Sequence, residues 1–377
     1  MYRRWYAKMN WPLLSVTLLL IVFGLIVIYS ATFRDNPSSP FADVGRQTLA
    51  FFVGLTLAFL IFWTDYKRLC TFRIPIGGSS FSIRLGYVLY GVAVFLLLLV
   101  WKKGHSALGA QRWIRVGPLG TFEPSEFAKL AVLLALATFF SENREPLSPK
   151  SLFISGMITG VPLLLVLTQP DLGTSIVLAA IWLGLLFFLG MNPLLILTSV
   201  VVAGSAVFRV MKDYQRERLL IFLDPNKDPR GWGWNIIQSL IAVGSGRFAG
   251  KGLFAGTQIQ LRFVPEHSTD FIFTVAAEEL GFVGGFLLLI LFFSLLWFGS
   301  KIALETEDRL GKLLAAGIVV MIFFHVFINI GMTMRIMPIT GIPLPFISSG
   351  GSSLITNMVA IALLLNIEYR RDRILLG

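Results

Sequence analysis

Apolar runs long enough to cross a bilayer recur along this chain, near residues 11–31, 45–63, 84–101, 123–141, 151–168, 173–190, 193–210, 281–299, 311–334 and 348–368. All but 311–334, which is a few residues longer, hold about 18 to 21 residues, the helical length that spans a hydrocarbon core of about 30 Å. Backbone inside lipid must satisfy its own amide groups, so the reading is an all-α polytopic membrane protein with about ten transmembrane helices. Composition agrees, since 55% of the 377 residues are hydrophobic, 33 are Phe and only 14% are charged. No nucleic-acid partner is expected, although the net charge is +11.

The first run follows Arg3, Arg4 and Lys8 and is too long for the apolar core of a signal peptide, so it should remain as an anchor. An even number of spans puts both termini on one side. That side is predicted to be cytoplasmic, because the N-terminus, the 64–83, 142–150 and 300–310 loops, and Arg370, Arg371 and Arg373 are basic. Opposite them lies one long segment, 211–280, expected to form a large structured extracytoplasmic loop capping a single membrane domain over 1–377. Glu278 and Glu279 argue against 269–299 as one span. A helix over 269–280 should instead dip into or lie along the outer interface, with the span starting near Gly281.

Charge placed against an apolar background marks candidate chemistry. Asp270 heads an apolar run in ValProGluHisSerThrAspPheIlePhe, where a carboxylate is costly unless something uses it. It suits a general base. Capping of the following helix by Thr269 or Asp270 is the plainer alternative, and Glu266 is a rival base four residues earlier. The outer 102–122 loop carries Arg112 and Arg115 against the topology rule, and GluProSerGluPheAlaLys over 123–129 puts Lys129 about one turn inside an apolar segment. Such cations could cradle a lipid-linked phosphate, or Lys129 could simply pair with Glu126 three residues earlier. In the cap, Arg216, Arg218, Asp224 and Asp228 alternate with aromatics and prolines, as in a compact salt-bridged structure. No metal-ligand spacing, nucleotide-binding glycine loop or Gly-x-Ser-x-Gly elbow occurs, so no metal and no cofactor are evident. The lone Cys70 excludes an internal disulfide and reads as a small buried or lipid-facing residue.

Residues 329–353 read AsnIleGlyMetThrMetArgIleMetProIleThrGlyIleProLeuProPheIleSerSerGlyGlySerSer. This resembles the signature of the shape, elongation, division and sporulation (SEDS) family of bacterial wall synthesis, with Asn329, Arg335, Pro338, Gly341, Pro343, Pro345, Ser348, Gly350, Gly351 and Ser352 all in its pattern. The likeness extends to GlyAlaGlnArgTrp at 109–113, GluProSerGluPheAlaLys, GlnProAspLeuGlyThr at 169–174, the cap and ThrAspPheIlePhe at 269–273, which is nearly the whole chain. AspTyrGlnArgGluArg at 213–218 and GlyThrGln at 256–258, followed by ArgPheValProGlu, are more similar to the elongation branch than to the division branch.

The resemblance implies a peptidoglycan glycosyltransferase that polymerises lipid II at the outer face of the bacterial cytoplasmic membrane during elongation. It also implies a class B penicillin-binding protein as transpeptidase partner, among other elongation-complex membrane proteins. Asp270 would then be the base, with Lys129, Arg112 and Arg115 at the leaving pyrophosphate and Glu123 and Glu126 orienting them. Arg216, Glu266, Ser348 and Ser349 complete the expected substrate-binding set. A lipid II flippase and a non-catalytic scaffold are the alternatives. Gly281, Gly284 and Gly285 suggest spans eight and nine as the partner's contact, because small residues let helices approach closely.

Overall fold

The structure is a computed structural model describing residues 9–33, 41–75, 82–107, 110–115, 121–210, 213–228 and 231–374. Helices α1 (Trp11–Thr32), α2 (Ala42–Trp63), α3 (Tyr66–Thr71), α4 (Leu85–Lys103), α5 (Pro124–Glu142), α6 (Pro149–Thr168), α7 (Leu172–Phe188) and α8 (Pro193–Val210) precede the cap. The cap holds α9 (Asp213–Leu223), α10 (Trp232–Ser245) and α11 (Thr257–Gln260). Then follow α12 (Ile272–Glu305), α13 (Arg309–Thr333) and α14 (Gly351–Ile374). Among the described residues, eight helices are long and apolar enough to span a membrane, and Leu172–Phe188 and Pro193–Val202 are shorter apolar helices. The ten expected runs are therefore all helical, with α7 the shortest of them at 17 residues. The last helix starts at Gly351 rather than 348, because Ser348 to Gly350 belong to a loop.

Among the described residues, two small antiparallel sheets interrupt the helices. β1 (Arg73–Pro75) pairs with β2 (Ser82–Arg84), and β3 (His105–Ala107), β4 (Ala110–Arg115) and β5 (Thr121–Phe122) form the other. Local chemistry fixes several helix starts: the side chains of Asn10, Asp65, Ser148, Asp171 and Asp308 each accept a first-turn amide. α5, α13 and α14 are largely buried and form the centre, whereas α2, α4 and α6 turn much of their apolar surface outward. One end of the bundle is tied by Asn366, whose Nδ2 donates to the carbonyls of Ile61, Phe62 and Thr64, and by Tyr66 Oη donating to Asp308 at 3.0 Å. Cys70 lies buried near this end, and burial pushes its thiol up to about 12. Such a thiol is a structural side chain rather than a nucleophile.

α12 is two helices joined at Gly281, which has φ +65 and ψ −158. The break falls where Glu278 and Glu279 suggested it, and the loop after α10 satisfies the backbone groups it exposes. Lys251 N and Gly252 N donate to the carbonyls of Glu278 and Glu279, while Phe282 N and Val283 N donate to Arg247 O and Phe248 O. A Cβ on Gly281 would stand 2.2 Å from Gly250 N, so only glycine fits this approach. Side chains reinforce the joint: Glu278 accepts from Lys251 Nζ at 2.6 Å and Gln258 N at 3.0 Å, and Glu279 accepts from Ser30 Oγ of α1 at 2.6 Å.

Glu278 is fully buried, and removing its cation strands a charge. Lys251→Met is expected to cost about 3 kcal/mol of stability in detergent denaturation, and Lys251→Met with Glu278→Gln should recover most of it.

The glycines expected to receive a partner helix face inward instead. Gly284 and Gly285 are buried, and added Cβ atoms would meet Leu280 Cβ at 2.2 Å and Phe273 Cζ at 3.6 Å. The outward face of α12 is aromatic, with Phe282, Phe286, Phe293 and Trp297 exposed. The smallness of Gly284 and Gly285 serves packing within this chain, around the bend at Gly281.

Candidate active site

Asp270 sits in a tight turn before α12. Glu266, at φ +54, accepts from both Thr269 N and Phe271 N at 3.2 Å. That turn delays the helix, whose N-cap is Phe271 with no side-chain cap bond. Neither Thr269 nor Asp270 is the cap, so the structure does not support the capping alternative. Asp270 is half-buried just ahead of the helix start, where the positive end of the helix favours a carboxylate.

The 340–350 loop holds this turn from behind. Asn329 Nδ2, on α13, donates to Asp270 O at 2.8 Å and to Ile342 O at 2.7 Å. Ser348 Oγ donates to Thr269 O at 2.6 Å and accepts from Leu344 N at 2.8 Å, and Ser349 N donates to Ser268 O at 2.9 Å. Gln47 of α2 braces the loop in turn, donating to Ser348 O at 3.1 Å and accepting from Gly350 N at 3.1 Å. Ser348 is thus engaged on both sides by the chain and acts as a strut for the Asp270 turn.

Gly341 lies against the carboxylate itself: it has φ +73, and a Cβ there would come 3.2 Å from Asp270 Oδ2. Gly341→Ala combines a left-handed backbone with crowding of that oxygen. It is expected to cost about 1–2 kcal/mol and to slow turnover by about tenfold, checked by initial rates on folded protein.

Lys129 is 1% exposed and lies in a buried polar cluster between α5 and α13. Its Nζ is 2.8 Å from Glu126 Oε1 and 2.8 Å from His325 Nε2, and His325 Nδ1 faces Pro343 O at 3.4 Å. The expected ion pair with Glu126 is present. His325 is the partner that spacing on one helix could not supply. Lys129 is enclosed, so its ammonium is not exposed to solvent.

Arg112, on β4, clasps the turn before α7. Its Nε donates to Gln169 O at 3.2 Å, its Nη2 donates to Pro170 O, and Nη1 lies 3.8 Å from Asp171 Oδ1. Asp171 caps α7 by accepting from Thr174 N at 3.0 Å. Half-buried Glu123 adjoins this group: its backbone N donates to Ser352 Oγ at 3.0 Å, and Oε1 accepts from Ser125 Oγ at 3.1 Å. Burial first, then the Asp171 and Glu126 carboxylates, push its carboxyl up to about 8 against the pull of Arg112 and Lys129. A raised carboxyl favours the folded state while protonated, so that stability is present below its unfolded value and lost as pH rises through about 8. Glu123→Gln should therefore flatten the fall in unfolding midpoint expected of the native protein between about pH 4.5 and about pH 8.

The structure thus gathers Asp270, Glu266, Ser348 and Ser349 into one half-site and Glu123, Glu126, Lys129 and Arg112 into another. One face of α13 joins them, through His325 and, one turn later, Asn329. Arg216 stands apart, donating to Phe208 O at 3.1 Å and Arg209 O at 2.6 Å at the end of α8. Arg115 ends β4, and its side chain lies outside the described residues. His325, Asp171 and Gln47 were missed in the sequence, although a histidine inside an apolar helix is itself a signal. Among the described residues, no three His, Cys, Asp or Glu side chains group closely enough to hold a metal ion.

Fold and site together define a polytopic helical membrane protein whose half-exposed aspartate is braced beside a buried cluster of cations and carboxylates. The family described as cell cycle protein FtsW/RodA/SpoVE matches residues 10–373, and the chain belongs to that family. It is 39% identical to the peptidoglycan glycosyltransferase MrdB of Escherichia coli K12 over 363 residues, covering 95% of this chain and 93% of that protein. A solved chain described under structural coordination of polymerization and crosslinking by a peptidoglycan synthase complex aligns with TM-score 0.78 at 32% identity, covering 96% of this chain and 98% of that one. The crystal structure of the rod shape determining protein RodA of Thermus thermophilus aligns with TM-score 0.71 at 29% identity, covering 96% and 97%.

Proposed function

We propose that this protein is a peptidoglycan glycosyltransferase that polymerises lipid II at the outer face of the bacterial cytoplasmic membrane. Asp270 takes the proton of the acceptor 4-hydroxyl as that oxygen bonds to the donor's anomeric carbon. The bond from that carbon to the pyrophosphate oxygen breaks, and polyprenyl pyrophosphate leaves with the electron pair. Arg112 and Lys129 supply positive potential for the leaving group, and Glu126 holds the Lys129 ammonium in place. The observation that carries this reading is the brace on Asp270: its carbonyl is held by Asn329, its turn by Ser348 and Ser349, and its carboxylate lies beside Gly341.

Both termini are cytoplasmic and the Asp270 end of the bundle faces outward, as the basic loops at the other end favour. A class B penicillin-binding protein crosslinks the product, and the exposed aromatic face of α12 suits a single-span partner better than its buried glycines do. A flippase or a scaffold gives different readouts in proteoliposomes loaded with labelled lipid II. The enzyme yields glycan chains resolved by electrophoresis, with and without the partner. Transbilayer movement without glycan would support the flippase and overturn this reading.

A further inference from the structure

Three ionisable side chains are closed inside the bundle at Lys129, Glu126 and His325, at 1%, 2% and 1% exposure. Burial of that kind is a poor source of stability, since well-packed apolar side chains of similar volume serve as well or better. Their arrangement has a direction. Lys129 comes from α5, His325 from α13, and His325 also faces the carbonyl of Pro343 at 3.4 Å. Pro343 adjoins Ile342, whose carbonyl is bonded to Asn329, and Gly341, which lies against the Asp270 carboxylate. An ammonium only donates, so the His325 Nε2 facing it at 2.8 Å must present its lone pair. The ring proton then sits on Nδ1 and is donated to Pro343 O.

We propose that His325 is a positioning residue of the transfer site: a neutral Nδ1–H imidazole that fixes the Lys129 ammonium to the 341–343 segment against which the Asp270 carboxylate rests. It rests on the glycosyl-transfer reading above and adds to it the residue that sets the spacing between base and cation. Without the imidazole, Lys129 keeps Glu126 but loses its link across to α13, and Pro343 O loses its donor, which leaves the 341–343 segment held to α13 only by Asn329 at Ile342 O. The two half-sites then shift independently. Displacement of about 1 Å in a transfer site costs on the order of a hundredfold in rate.

Gln can accept from Lys129 and donate toward Pro343 O. Asn is too short to span both, and Leu does neither. With lipid II as substrate and the penicillin-binding partner present, His325→Leu and His325→Asn should lower kcat by about tenfold or more with KM within about twofold, while His325→Gln stays within about threefold of the native kcat. Equal kcat in native, Asn and Gln proteins would overturn the proposal, as would a Leu loss that only follows the loss of folded protein. If Leu fails to fold, Asn against Gln decides.

A second readout does not need turnover. The chain has three histidines, so ¹⁵N-histidine magnetic resonance can assign the His325 ring. An Nδ1–H tautomer whose Nε2 signal moves on Lys129→Met supports the proposal even if the native protein forms no glycan, a result that would count against the function alone. An Nε2–H tautomer would overturn it.

Discussion

Asp270→Asn should leave a folded protein that still binds its penicillin-binding partner and forms glycan about a hundred- to ten-thousandfold more slowly. Loss of a general base is worth that range, or roughly 3–5 kcal/mol of barrier. The substitution keeps shape and removes the negative charge, and with it the capacity to take a proton. Two observations make it clean. Phe271 is the N-cap, so the helix start does not depend on the carboxylate. Asn329 holds residue 270 through its backbone carbonyl, which any side chain retains. Initial rates of glycan formation, normalised to monodisperse protein recovered with partner, measure the effect.

Lys129→Met should be the most destabilising single change in the site. Glu126 Oε1 would lose its ammonium, and Oε2 already has no hydrogen-bond partner in its buried position. An uncompensated buried charge costs about 3–5 kcal/mol, enough to remove much of the stability of a marginal fold. Adding Glu126→Gln removes the stranded charge and should restore most of the denaturation midpoint. Activity is expected to remain below about a tenth of native, because the cation serving the leaving group is still missing. Native turnover in the double variant would make the pair a packing element and nothing more.

The fold was legible wherever a physical cost acts on a short stretch of chain. Apolar length gave all ten helices, and the expense of Glu278 and Glu279 in lipid located the break at Gly281. The same reasoning singled out Asp270 and the Lys129–Glu126 pair. What it could not supply were partners fixed by tertiary packing. His325 meets Lys129 across 196 residues, and Gln47 meets Ser348 across 301. The inward face of Gly284 and Gly285 likewise depends on the bend of α12, which places Leu280 and Phe273 against them. The cap at Phe271 was not legible because the left-handed Glu266 makes an extra turn that an acidic residue does not announce. Arg216 shows the limit of reading charge alone, since its guanidinium is spent on the free carbonyls ending α8.

Polyprenyl pyrophosphate released per glycosidic bond, at saturating lipid II and with partner bound, tests the central claim most directly. The native protein should release one for each linkage, Glu266→Gln should keep appreciable release, and Asp270→Asn should release almost none. Native-like release by Asp270→Asn, with Glu266→Gln silent, would contradict Asp270 as the base and move that role to Glu266.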